Sequence, residues 1–230
     1  MMLIHNQMEY KVDFTKSFVN SLIIESPLIL RSFVKDLSEQ VSGGEGGFVL
    51  SESHLKELDI SKKVELIINP IIEIEHAKRF SSKILSSIKE IAVNETNYLK
   101  TSELQTTLLQ YAALLSHELI SPVSYSDEVD VMAILKVFNF SLDLDDLSVI
   151  ENIVTYITAL NTYLGTSVFI FINLKDFILK EELIYLAENI KSLNSNLLLI
   201  ESGVNNYFID DEKYCIIDTD LCEIFREGNQ

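Results

Sequence analysis

Few residues in this chain have the types and spacing that chemistry needs. The histidines His5, His54, His76 and His117 stand apart from one another and at no metal-ligand spacing from Cys215 or Cys222. A Cys/His zinc cluster is therefore unavailable, and two cysteines make no disulfide scaffold. No local motif suggests a Ser-His-Asp or Cys-His nucleophile, so the histidines read as surface or capping residues. Cys215, within an apolar run, reads as a small core residue. The run Gly43-Gly44-Glu45-Gly46-Gly47 could offer backbone N–H groups to a phosphate, but no Lys-Ser/Thr follows it and Glu45 would repel the anion. It reads as a turn. Acidic residues cluster at Asp127, Glu128 and Asp130, then at Asp143, Asp145, Asp146 and Glu151. Carboxylates in a first helical turn favour the positive end of the helix dipole. The same grouping suits calcium, a hard cation taking about six to eight oxygens, although no EF-hand spacing is present. Spacing alone favours the dipole role. Among the cations, Lys78, Arg79 and Lys83 occupy adjoining turns, and Arg31 and Lys35 lie one turn apart. Such groups are ordinarily solvated faces; binding would require them to gather on one concave surface, most easily through oligomerisation.

The background to those cations is strongly acidic. The chain has 230 residues, 18 Lys and Arg against 35 Asp and Glu, and a formal charge of −17. A generic basic nucleic-acid binder has the opposite balance. Hydrophobic residues make up 47%, enough for a sizeable core and too many for disorder. No apolar run has the length of a membrane span, and Met1–Gln7 lacks the cationic and apolar regions of a signal peptide. The expectation is a soluble, cytoplasmic, globular protein.

Periodicity divides the elements that must position these residues into two kinds. Met8–Asp13, Leu22–Glu25, Phe48–Glu52 and Val64–Asn69 read as strands, with a helix over Leu28–Val41 opened by Pro27. From about His76 the period becomes helical. Phe80, Ile84, Ile88 and Ile91 share a face, as do Leu104, Leu108, Ala112, Leu115 and Leu119. Further helices are expected over Asp127–Asn139 and Asp145–Leu164, the latter closed by Gly165 and burying Ile150, Val154, Ile157 and Leu160. Val168–Ile172, Leu197–Glu201 and Tyr214–Asp218 then read as strands buried on both faces, with a helix over Ile178–Ser192. Strand, helix, strand implies right-handed parallel crossovers. The expected fold is α/β: a mostly parallel sheet domain from 1–75 and 165–230, with an all-α domain, 76–164, inserted. If its sheet is NTPase-like, the nucleotide site has been lost. Ser26-Pro27-Leu28-Ile29-Leu30, where a phosphate loop would sit, contains no glycine, and Val168–Ile172 ends in Asn173 where a magnesium-binding strand would carry aspartate.

One stretch resembles a known family. Asp127-Glu128-Val129-Asp130-Val131-Met132-Ala133-Ile134-Leu135-Lys136 is followed by Phe140-Ser141-Leu142-Asp143, a long helix and Phe169-Ile170-Phe171-Ile172-Asn173. Leu199-Ile200-Glu201 and Tyr207-Phe208-Ile209-Asp210-Asp211-Glu212-Lys213-Tyr214 continue in the same order. This run is similar to the Csn accessory family of type II-A CRISPR systems, over about 124–218, with the element pattern of 20–95 agreeing. The resemblance implies a degenerate NTPase-like head domain without a phosphate loop and a helical leg. It also implies a ring-shaped homotetramer that encircles double-stranded DNA, binds its free ends, uses calcium to hold its shape and supports spacer acquisition. No nuclease or ATPase activity is implied. Calcium ligands would lie around Asp127, Glu128 and Asp130, and Lys136 matches the lysine ending the family's helix motif. Relatives carry a further lysine where this chain has Phe140-Ser141-Leu142.

Three functions compete at this point. The first is a non-enzymatic, sequence-independent clamp on DNA ends, contacting phosphates through Lys78, Arg79, Lys83 and Lys136. The second is an adaptor that holds the CRISPR integrase complex and the RNA-guided effector nuclease together without touching DNA. The third, an NTP-driven enzyme, needs a phosphate loop the sequence lacks.

Overall fold

The structure, a computed structural model, describes residues 1–53, 56–72, 78–204 and 207–226. His54 and His76 lie outside them, as does the start proposed for the helical excursion. The chain divides into two compact units: Met1–Ile72 with Leu144–Gln230, and Glu73–Asp143.

The first unit is α/β. Strands β1 (Met2–His5), β2 (Val12–Asp13), β4 (Phe48–Ser53) and β5 (Lys56–Leu58) form an antiparallel sheet in the order β2-β1-β4-β5. A larger, six-stranded sheet contains β3 (Val19–Ile24), β6 (Val64–Ile67), β7 (Val168–Ile172), β8 (Asn196–Glu201), β9 (Lys213–Ile217) and β10 (Glu223–Arg226), ordered β10-β9-β3-β8-β7-β6. Only β10 runs antiparallel to its neighbour; the other pairings are parallel. Every residue of β7 is buried, the double-sided burial that its unbroken apolar run predicts, whereas β9, expected to be the same, is only partly buried. β3 is also buried throughout, although Asn20 and Ser21 interrupt its apolar run.

Helix α1 (Pro27–Val41) joins the two sheets into one core. Its Phe33 and Leu37 pack with Leu3, Phe48 and Leu50 of the small sheet and with Leu22, Val64 and Ile170 of the large one. The glycine run is structural. Gly43 adopts φ 88°, and the Gln40 side chain bonds both backbone groups of Phe48, donating at 2.8 Å and accepting at 3.0 Å. α2 (Ile60–Lys63) is a single turn leading into β6.

The second domain boundary falls earlier than periodicity places it. Helix α6 (Val149–Ala159) and its π-helical extension Leu160–Leu164 belong to the α/β unit, because Ile150, Ile153, Tyr156, Ile157 and Leu160 are buried in it and the Tyr156 hydroxyl bonds Glu65 on β6 at 3.1 Å. The helix also starts later than Asp145. Ser148 and Glu151 form a capping box that fixes its first turn, and Gly165 ends it in the left-handed conformation, φ 72°. Helix α7 (Lys180–Ser192) packs beside α6.

The second unit is helical. It holds α3 (Ser81–Ala92), α4 (Tyr98–His117) and α5 (Val131–Lys136). Two expectations change here. None of α4 is buried, so the apolar row through Leu104, Leu115 and Leu119 is an exposed face instead of a core one. The helix expected from Asp127 begins only at Val131, which leaves Asp127 and Glu128 outside it. Among the described residues, no helix is long and apolar enough to cross a membrane.

Candidate nucleic-acid interface

In the second unit, Phe80 anchors the start of α3. Its ring is fully buried, and its carbonyl accepts from the N–H groups of Lys83 and Ile84, each at 2.9 Å. That anchor holds Lys78 and Arg79 immediately before the first turn, with the Arg79 guanidinium 5.7 Å from the Phe80 ring centroid. Across from α3, the short helix α5 ends in Lys136, after which Asn139 turns the chain with φ 49°. α3 and α5 pack together. Between them lies a cavity of about 500 Å³ whose polar lining is Lys78, Ser81, Ser82, Lys136, Asn139 and Ser141. Leu85 and Phe140 complete its wall.

Of the four cations expected to meet DNA, the fold thus brings Lys78 and Lys136 to one concave surface. Lys83 and Arg79 are exposed and do not line it. Ser81, Ser82 and Asn139 carried no sequence signal of their own, and Ser141 entered only within the segment where relatives carry a further lysine. Two ammonium groups among hydroxyls and an amide can hold an anionic oxygen cluster.

The acidic candidates do not converge. Asp130 is the N-cap of α5, its carboxylate accepting from the Met132 N–H at 2.8 Å. Asp127 and Glu128 line a different cavity, of about 390 Å³, with Ser102, Gln105 and Thr106 of α4. Gln105 fastens that segment by donating to the Val129 carbonyl at 3.1 Å. No group of three or more His, Cys, Asp or Glu that could hold a metal exists among the described residues. Asp130 does not line the cavity of Asp127 and Glu128, so the three acids do not converge on one ion as a set within one chain.

In the first unit, the ends of the parallel strands present a different surface. Asn173, just after β7, is left-handed at φ 52°, and its side-chain oxygen accepts from the Ser202 N–H at 2.8 Å. Arg31, Lys35, Ser38 and Glu39 line a groove of about 540 Å³ there together with Pro27, Leu30, Val34, Ile68 and Ile172, so the cation pair on α1 also reaches a concave surface, beside a carboxylate. Just after β7, where its N–H bonds Glu201 at the end of β8, Lys175 forms a buried ion pair with Glu212 at 2.6 Å, with the ammonium 4.4 Å from the Phe208 ring centroid. Burial above all, and then the neighbouring carboxylates, push the Tyr207 hydroxyl up to about 12. His5 also departs from expectation. It is buried between Phe33 and Phe48, ring centroids 4.2 and 4.4 Å away, with Nε2 3.2 Å from Asp36.

The family profile described as CRISPR-associated protein (Cas_Csn2) matches residues 40–221. The chain belongs to that family. Its match spans both units, so the Cas_Csn2 assignment covers the cavity of Lys78 and Lys136 as well as the parallel sheet. No curated protein matches. Among solved structures, a putative ABC transporter (ATP-binding protein) from Pyrococcus furiosus is similar, with a TM-score of 0.36 and 13% identity over 86% of this chain and 84% of that one. A likeness of that size carries no argument about function.

Proposed function

We propose that this CRISPR-associated protein binds the ends of double-stranded DNA without sequence preference, as a ring-shaped homotetramer, and supports spacer acquisition without catalysing a reaction. The observation that carries this reading is the gathering of Lys78 and Lys136 on one cavity of a chain whose formal charge is −17. Screening reconciles the two facts. With a Debye length of about 8 Å at physiological salt, cations facing a phosphate outweigh acids farther away. Uncovered apolar residues along α4, among them Leu99, Tyr111 and Leu114, support association with further chains. Calcium belongs to the proposal only as an ion shared more widely than one chain; Asp127 and Glu128 are its candidate contributors, and Asp130 is committed to its cap.

The test is the salt dependence of duplex binding. Log affinity should fall against log salt with a slope of about −0.9 per phosphate neutralised. Removing charge at Lys78, Arg79, Lys83 and Lys136 together should flatten that slope and weaken all sequences alike. An unchanged affinity and slope would contradict the reading. The same exposed face of α4 also supports the adaptor reading, in which the integrase complex and the effector nuclease are held together without DNA contact. Under that reading no duplex binding is seen at all.

A further inference from the structure

The cavity between α3 and α5 has a composition more specific than a general phosphate contact requires. Acids outnumber bases 35 to 18 in this chain, yet among the described residues no carboxylate lines it. Its charged groups are Lys78, from the segment before α3, and Lys136, from the end of α5. Hydroxyls of Ser81, Ser82 and Ser141 and the Asn139 amide add directional donors. Ser81 opens α3, whose N-cap position, Phe80, supplies no side-chain hydrogen bond, so the positive end of that helix adds to the two ammonium groups. Leu85 and Phe140 give the recess an apolar wall beside these donors.

We propose that this cavity takes the terminal phosphomonoester of a DNA strand, the phosphate at the end itself, as opposed to the diesters along the duplex. The inference rests on the DNA-end reading above and makes it more specific. Charge decides between the two kinds of phosphate. A monoester carries about −1.5 to −2 at neutral pH and presents three acceptor oxygens, whereas a diester carries a single charge. Two lysines match the dianion. Shape decides in the same direction, because an uninterrupted duplex presents its diesters on a convex surface and only a strand end can enter a recess. The Leu85 and Phe140 wall then meets the face of the terminal sugar or base, as aromatic surfaces do in strand-binding proteins.

The experiment measures affinity for linear duplexes of one sequence whose ends carry 5′-phosphate, 3′-phosphate or only hydroxyls. It uses the full chain and is run at about pH 7.5 and about pH 5.5, either side of the second phosphate pKa near 6. Phosphate-ended duplex, at one end type or both, should bind about tenfold more tightly than hydroxyl-ended duplex at the higher pH. That preference should shrink at the lower pH, as the monoester takes its second proton. Lys78→Ala with Lys136→Ala should abolish the preference, Lys78→Arg with Lys136→Arg should keep it, and Arg79→Ala with Lys83→Ala should weaken phosphate- and hydroxyl-ended duplex alike and so leave the ratio between them in place. Equal binding of phosphate- and hydroxyl-ended duplex by the unaltered protein overturns the cavity assignment and leaves DNA-end binding standing. Failure to bind any linear duplex overturns both.

Discussion

At the scale of single residues, the clearest distinctions are between groups of one type in different surroundings. Asp130 is a helix cap, so Asp130→Ala should cost about 1 kcal/mol, while Asp130→Asn, still an able cap, should cost little. Thermal melts in calcium and in chelator should give the same cost; a cost that appears only with calcium would restore Asp130 as a ligand. The two cysteines differ in the same way. Burial pushes the Cys215 thiol up to about 12, whereas Cys222 is exposed. A thiol reagent at mildly alkaline pH should therefore modify Cys222 alone in the folded protein, and both only after denaturation. Prompt modification of Cys215 would contradict its placement in β9. Side-chain type exposed the sparse cations of the candidate site to sequence reading, but not which of them meet. Lys78 and Lys136 converge because α3 packs on α5, and periodicity carries no information about that pairing.

At the scale of elements, local signals gave good bounds wherever one physical cause dominated. Gly47→Ala illustrates a close approach: an added Cβ would run into the His5 imidazole and the Asn6 side chain, 2.8 Å away. Since His5 is clasped by Phe33, Phe48 and Asp36, the substitution should destabilise by about 1–3 kcal/mol in denaturant unfolding, and a neutral effect would contradict that packing. The capping box of α6 gives a pH prediction. Hydrogen bonds from Ser148, its hydroxyl first, hold the Glu151 carboxyl below the ordinary carboxylate range. A depressed carboxylate lends stability that is present above its unfolded pKa, about 4.3, and is lost as pH falls through the folded value. Ser148→Ala should thus lower stability at neutral pH, and the difference from the unaltered protein should narrow as pH falls below the ordinary carboxylate range; a constant difference would contradict the box. The doubly buried strands β7 and β8 were readable because both faces are apolar and no alternative period competes, whereas β3 was read only from Leu22 because Asn20 and Ser21 interrupt its apolar run. The small sheet was harder. β1 and β5 are short, β1 pairs with the distant β4, and Met8 to Tyr10 alternates like a strand without pairing as one. α4 shows the opposite limit. Its helical period was evident, but period alone does not say whether an apolar face meets a core, and this face meets none within its unit.

At the scale of the whole molecule, family membership, a basic recess in an acidic chain and an uncovered helix face point the same way. Self-association should depend on α4. Replacing Leu104, Tyr111 and Leu115, all exposed, by serine should lower the mass in sedimentation while leaving the α/β unit folded. A tetramer that survives those changes would place its interface elsewhere. The −17 charge sets the conditions under which the central claim is best examined, since repulsion at low salt and screening at high salt oppose one another in DNA binding. The most direct measurement compares affinity for linear duplex with affinity for a covalently closed circle of the same sequence, at one physiological salt concentration. A ring that must be entered at an end should bind linear duplex readily and the closed circle weakly, and cutting the circle once should restore binding. Equal affinity for the circle and its linear form would contradict end binding.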